Sequence, residues 1–458
     1  MTIRPLRLIP AVVALAAAAL FTFRPTYDPD LFWHLAQGRH DVQVGLVRAN
    51  IFSATNASYP QRYTSWGFEV VQATVEGSYG LLGVQILQWV FLAAALLMLY
   101  AAARTKGSRV AAFTVLLLAL FVIEPRAMPR PYLVSFVGFA LCAWWASLVP
   151  RPTSIVPVLV IGLWSNFHSE SVFGLALIVL GTLHGPPWSS KVKLWLVCAL
   201  ATLATPYGVG LWRYLYENTA VPSVLRIAEL EPATVAAYPA FFAFLAVLAV
   251  ALASMPRRLT VSEALVAVFF AALGVRYIRF MPMVAFATAP MLADRIQAWI
   301  ERGWDRRAVL VTAAAIMAVT APASPGRMVA AWRTGQAALA PKEYFSEGAI
   351  EFIRANQLST PMFNSMNLGG YLDWKLGGKT FIDSRLQAAP REWFVALTEA
   401  AHDEAKWTTL VKDVNWAVVS LARPTDISGV GKFNAPAWIS VFRDPAVEIF
   451  VRRGATLR

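Results

Sequence analysis

The sequence predicts an α-helical polytopic membrane protein that ends in a small soluble α/β domain, and three observations predict it. Of 458 residues, 57% are hydrophobic and only 15% charged, against about 45–50% apolar and about 25% charged in a soluble domain. Apolar runs recur over most of the chain, many close to the ~20 residues that one crossing requires. From about residue 330 these runs give way to alternating helix-like and strand-like pieces.

The runs fall at 8–23, 81–103, 110–123, 132–149, 155–168, 171–184, 192–205, 237–254, 261–277, 280–293 and 308–323. They predict about eleven transmembrane helices, the shorter ones bordering a polar cavity. Arg4 and Arg7 precede the first run, as in a signal peptide, but bulky Leu20, Phe21 and Phe23 spoil the small-residue cleavage pattern. An uncleaved first span is the expectation.

The net charge is +13, with a pI near 9.9 and a mean hydropathy of +0.53. The basic residues concentrate in short loops rather than in one patch, which speaks against nucleic acid. One set of loops carries Arg104, Lys106, Arg109, Arg151, Lys191, Lys193, Arg257, Arg258, Arg302, Arg306 and Arg307. The opposite set holds Asp28, Asp30, Glu69, Glu124, Glu170, Glu217, Glu229 and Glu231. The positive-inside rule then puts the N-terminus in the cytoplasm of a cell (inner) membrane. An odd number of spans places the C-terminal domain outside. Cys142 and Cys198 both lie in apolar runs, so neither a disulfide framework nor a cysteine metal site is expected.

Two domains are expected: a multispanning part, 1–325, which includes an interfacial outer loop 24–80, and a soluble part, 330–458. In the loop, Leu31, Phe32, Trp33 and Leu35 alternate with polar residues, and Trp66, Phe68, Val70, Val71 and Val75 form a second mixed stretch. Both suit helices lying in the membrane interface. A further aromatic outer loop spans roughly 206–236, and Pro322 and Pro325 mark the linker. The soluble part reads as a helix near 346–356, strands PMFN at 361–364 and KTFID at 379–383, and helices near 391–412. WAVVSL and the pair WISVF and VEIFV follow as strands.

Polar residues collect at the outer ends of the runs. Asp28-Pro29-Asp30 with His34 follows the first helix; Asp30 is well placed to cap a helix starting at Leu31, yet two carboxylates and a histidine at a membrane face are costly unless used. Glu69 lies on the second stretch, where solvation alone would explain it. Asn166, His168 and Glu170 occupy a turn between runs, which explains the asparagine better than the histidine. Arg126, Arg130, Arg276 and Arg279 sit on the acidic side, against the charge rule. Snorkelling to headgroups would account for them; so would holding a phosphate, which guanidinium grips bidentately. Together these groups predict carboxylates opposite arginines in one outward-facing cavity.

No GxxxxGKS/T loop or HExxH pattern is present, so neither nucleotide hydrolysis nor zincin chemistry is indicated. Gly369-Gly370 and Gly377-Gly378 do not form a GxGxxG turn after a strand.

At these residues the sequence resembles a bacterial family of multispanning membrane proteins related to the GT-C glycosyltransferases. DPDLFWHLAQG resembles its opening DPDxxWHLxxG, and NIFSATNASYPQRYTSWGFEVV its next element. RPYLVSF, WSNFHSE, TPYGVGLWRYL, VRYIRFMPMVAF and NLGGYLDWKLGGKTFIDSR follow in the family's order, so the likeness covers nearly the whole chain. Departures are Asn367, Ser169, Thr205 and Ser384, the last standing where the family's FIDGR has glycine.

The resemblance implies an inverting hexosyl or pentosyl transferase using a polyprenyl-phosphate-linked sugar. The acceptor would be an envelope glycan, lipid or protein at the extracytoplasmic face. It implies Asp30 as general base with Asp28 as the alternate, and Glu69 and His34 orienting the acceptor. Asn166 and His168 would assist there, and Arg126, Arg130, Arg276 and Arg279 would hold the donor phosphate. A divalent cation, Mg or Mn, is allowed for on Asp28, Asp30 and Glu69. Two other readings compete: a transporter or flippase of lipid-linked sugars, disfavoured by the absence of a visible repeat, and a non-catalytic envelope assembly protein in which the FIDSR region matters and the carboxylates do not.

Overall fold

The computed structural model describes residues 8–61, 64–148, 155–184, 187–217, 227–254, 259–320, 339–359, 361–422, 429–434 and 436–454. Arg4, Arg7, Arg151, Arg257, Arg258, Pro322 and Pro325 lie outside them, as does part of the loop 206–236. The chain forms two compact units, one of residues 1–24, 85–208 and 227–335, the other of 25–84, 209–226 and 336–458. The outer loop therefore shares a unit with the C-terminal residues.

In the first unit each apolar run is a helix. These are α1 (Ile9–Thr22), the later part of α3 (Trp66–Arg104), α4 (Arg109–Ile123), α5 (Tyr132–Ser147), α6 (Ile155–Trp164), α7 (Ser171–Gly181) and α8 (Trp188–Ala201). After them come α10 (Pro239–Ala253), α11 (Val261–Arg276), α12 (Met281–Glu301) and α13 (Arg306–Thr320). Starts are set locally: Ser108 caps α4, and Thr260 with Glu263 forms a reciprocal capping box on α11. Helix α12 is buried on all sides from Met281 to Ala293 and packs against α4, α5 and α11. An all-round apolar sequence leaves no polar face to turn outward, so this helix takes the centre.

Among the described helices only α3 is long and apolar enough to cross a membrane unaided. Helices α1, α5, α6, α7 and α10 are apolar but 10 to 16 residues long. Several present apolar stripes outward at four-residue spacing: Leu159 and Leu163 on α6, Leu196 and Leu200 on α8. The sequence pieces 66–75 and 81–103 merge into α3 across a kink at Gly80, whose φ of 61° only glycine adopts readily.

The second unit holds α2 (Asp30–Gln43), the start of α3 and α9 (Gly210–Glu217). Its C-terminal residues contribute α14 (Glu347–Ala355), α15 (Met366–Leu376), α16 (Arg391–His402) and α17 (Glu404–Leu410). Strands β1 (Met362–Asn364), β2 (Trp416–Ser420), β3 (Trp438–Arg443) and β4 (Val447–Arg452) form one sheet in the order β1-β2-β4-β3. The β1/β2 pair is parallel, aligning Phe363 with Ala417; the other pairs are antiparallel, with an irregularity between Ser440 and Phe442.

One expectation needs correction here. KTFID is not a sheet strand. Its backbone is held instead by the Asn364 side chain, which accepts from Phe381 N–H (2.8 Å) and donates to the Ile382 carbonyl (2.6 Å). Leu31, Phe32, Trp33 and Leu35 are buried in the protein. The Phe32 ring sits 4.7 Å from Phe345, 5.1 Å from Tyr371 and 5.2 Å from Trp374. These partners come from the far end of the chain and cover the aromatic run.

Candidate active site

The polar residues of the second unit are organised by close helix contacts. A Cβ on Gly38 would lie 2.0 Å from the Glu69 carbonyl oxygen, so α2 and α3 touch backbone to backbone there. One turn earlier on α2, His34 Nδ1 meets Glu69 Oε1 at 3.0 Å, with both side chains almost wholly buried. Arg39, the residue after Gly38, grips Glu76 one helical face further round, through Nε (2.9 Å) and Nη2 (2.6 Å). The WHLxxG spacing thus places His34 and the small residue one turn apart on a single helix face.

Asp41 belongs to the same face and accepts from Gln37 Nε2 at 2.7 Å. Burial pushes its carboxyl up to about 6, with the Gln37 bond and His40 opposing. The folded protein thus holds this proton more tightly than the unfolded chain. Stability from this group is full below about pH 4 and is lost as pH rises towards 6. Asp41→Asn should flatten that decline, as read by thermal unfolding at pH 4.5 and 7.5; an unchanged pH slope would refute it.

Asp30 is the first residue of α2, and its own N–H donates to Asp28 Oδ1 at 3.1 Å. Asp28, not Asp30, therefore does the capping expected from the sequence. The two carboxylates differ in access, since Asp28 is fully buried while Asp30 is half-buried. Asp30 Oδ1 accepts the Ser384 hydroxyl at 2.5 Å. Beside Ser384, Arg385 is buried and forks onto Asp383, through Nε at 3.0 Å and Nη2 at 2.5 Å. Its Nη1 and Nη2 also reach Gln61 Oε1 (3.4 Å) and Asn50 Oδ1 (3.3 Å). Asp373, wholly buried near this pair, is pushed well above the usual carboxylate range by burial and by the Asp383 charge.

The metal set allowed for by sequence is not assembled. Asp28 holds a backbone N–H, Asp30 a hydroxyl and Glu69 a histidine, and no group of three His, Cys, Asp or Glu among the described residues could hold a metal ion.

The arginines cluster in the first unit. Arg126 and Arg130 both donate to Glu229 Oε1, at 2.6 and 2.9 Å, and Arg126 lies 4.2 Å over the Tyr132 ring. Arg279 contacts Glu170 Oε1 at 3.3 Å; its Nε is buried without a hydrogen-bond partner among the described residues. Burial alone would raise the Glu229 carboxyl, but Arg126 and Arg130 together hold it far below the usual range. Glu170 is likewise lowered, burial being outweighed by His168 and Arg279. Three guanidinium groups thus face two carboxylates. Arg276 stands apart, stacked 4.5 Å over Tyr277. Glu170 stands in the polar turn that the sequence singles out, though not as an arginine partner; for Glu229 its place in the acidic loops is the one signal the sequence carries.

Asn166 donates to the carbonyls of Gly162 (2.9 Å) and Ala204 (2.8 Å), a helix-joining role. His168 approaches Ser135 Oγ at 2.8 Å and Glu170 Oε2 at 3.3 Å. Both contacts use Nδ1, and Ser135 also accepts the Trp164 indole N–H at 3.0 Å. A serine–histidine–acid relay needs the two ring nitrogens to face different partners, so this is not one.

No family model matches the chain, and no curated protein matches it by sequence. Solved structures do. The archaeal oligosaccharyltransferase AglB from Archaeoglobus fulgidus, in complex with an inhibitory peptide and a dolichol-phosphate, superposes with a TM-score of 0.62 at 11% identity. That match covers 91% of this chain and 69% of AglB. The chain shares the fold of this oligosaccharyltransferase. The same enzyme tethered to an acceptor peptide containing the NVT sequon gives a TM-score of 0.60 over 91% and 69% at 11% identity. Its complex with Zn and sulfate gives 0.57 over 90% and 68%, again at 11%.

Proposed function

We propose that the protein is a multi-pass membrane glycosyltransferase that moves a sugar from a polyprenyl-phosphate donor to an envelope acceptor at the extracytoplasmic face. The observation that carries this reading is the fold shared with an oligosaccharyltransferase over nine-tenths of the chain, one structure of that enzyme holding a dolichol-phosphate and another an acceptor peptide. The outward stripes of Leu159, Leu163, Leu196 and Leu200 suit lipid, where such surface carries no hydration penalty. On this reading the apolar helices of the first unit span the inner membrane, with the N-terminus cytoplasmic and the C-terminal residues outside.

The chemistry follows from the charges. An acceptor X–H attacks the anomeric carbon; the C1–O bond to phosphate breaks with its electron pair leaving on polyprenyl phosphate; the proton passes to Asp30. Asp30 fits the base better than Asp28 because only Asp30 is open to solvent. The Arg126, Arg130 and Arg279 cluster fits the leaving phosphate. Arg279 Nε is buried without a hydrogen-bond partner among the described residues, which leaves a guanidinium donor for an anion, and the departing phosphate is such an anion. His34 and Glu69, closed off from solvent, hold α2 in place rather than touch the acceptor.

Membranes containing the protein, given polyprenyl phosphate carrying a radiolabelled sugar, should move label from the lipid extract to a non-lipid acceptor. Label that stays in the lipid fraction with wild-type protein would count against the reading.

A further inference from the structure

Ser384 stands where the resembling family has glycine, and its hydroxyl is the group that meets the Asp30 carboxylate. Its position is fixed from three sides. Arg385 ties the segment to Asp383 through the side chain and through its own N–H, 2.8 Å from Asp383 Oδ1, and onward to Asn50 and Gln61. Thr55 Oγ1 donates to the Phe381 carbonyl at 2.8 Å, and Ala54 N–H to the Thr380 carbonyl at 2.7 Å. Helix α15 does the rest with two adjacent glycines. A Cβ on Gly369 would meet the Ile382 oxygen at 2.1 Å and Asp383 Cα at 2.6 Å; one on Gly370 would meet Trp33 N at 2.8 Å and the Pro29 oxygen at 3.0 Å. One face of α15 thus lies against the FIDSR backbone and the next residue against the first turn of α2. Close backbone contacts of α15 on both sides, with the Arg385 and Thr55 side chains, set the spacing between Ser384 and Asp30.

We infer that Ser384 is a positioning residue for Asp30, and that the GGYLDW and FIDSR backbone of this chain holds its hydroxyl against that carboxylate. The inference rests on Asp30 being the base of the transfer proposed above. A hydroxyl that donates to a carboxylate favours the ionised form and fixes which oxygen faces the acceptor. Ser384→Ala removes the donor and almost nothing else, since the backbone contacts stay.

The test is the pH dependence of sugar transfer by membranes carrying wild-type protein, Ser384→Ala or Ser384→Thr. The alanine variant should move the acid limb of kcat to higher pH by about one unit, leave the donor KM within twofold, and melt with the wild type. Threonine, which keeps the hydroxyl, should restore the wild-type limb. Transfer by all three proteins with superimposable acid limbs would overturn the inference while leaving the transferase reading intact. No transfer by wild-type protein at any pH would overturn both.

Discussion

Arg385→Met lowers the stability of the protein by about 3–5 kcal/mol, the largest effect expected of any single substitution outside the helical core. Arg385 is among the largest fully buried side chains, and its guanidinium is the direct partner of Asp383, itself buried. Methionine fills the volume but leaves the Asp383 carboxylate uncompensated in a place where burial and the Asp383 charge already push the Asp373 carboxyl well above the usual range. Asn50 and Gln61 lose a donor as well. Lysine does not rescue, because an ammonium cannot make the planar fork onto Asp383. The double variant Arg385→Met with Asp383→Leu removes both charges and recovers most of the loss. Thermal unfolding of the purified protein measures all of these; a single methionine variant that melts with the wild type would show that the pair carries no structural weight.

Asp30→Asn reduces kcat for sugar transfer by about 10²–10⁴, the usual range for loss of a general base. Asparagine keeps an oxygen that can accept the Ser384 hydroxyl, so the fold and expression stay at wild-type level. The donor KM stays unchanged because Asp30 acts on the acceptor proton, in the transition state, and not on the phosphate. Asp28→Asn, by contrast, affects stability more than turnover, since Asp28 is fully buried and its oxygen serves the first N–H of α2. Activity of Asp30→Asn within tenfold of wild type would assign the base elsewhere.

Much of the architecture was legible in the sequence because helices in an apolar setting announce themselves by composition. Each apolar run became a helix, and the strands at 361–364, 416–421 and the terminal pair became the sheet. What failed to show were partnerships between distant segments. The run Leu31-Phe32-Trp33 has the composition of a membrane-interface helix, and nothing local says that Phe345, Tyr371 and Trp374 cover it. KTFID has strand propensity, but Asn364 supplies from one side chain the two hydrogen bonds that a neighbouring strand would have given. At the site, the arginines were visible as exceptions to the charge rule, while Glu229 was an ordinary member of the acidic loops and Glu170 a member of the polar turn until the structure set them 2.6 and 3.3 Å from guanidinium nitrogens. The motif glycines carried their own explanation only in part: Gly38, Gly369 and Gly370 are small because backbones meet there.

The most direct test of the account uses purified protein in proteoliposomes with doubly labelled donor, one isotope in the sugar and one in the polyprenyl chain, and an envelope extract as acceptor. The account predicts that sugar label leaves the lipid and that free polyprenyl phosphate appears in equal amount. Donor that reaches the other leaflet with both labels still joined would contradict it and make the protein a carrier of lipid-linked sugar instead.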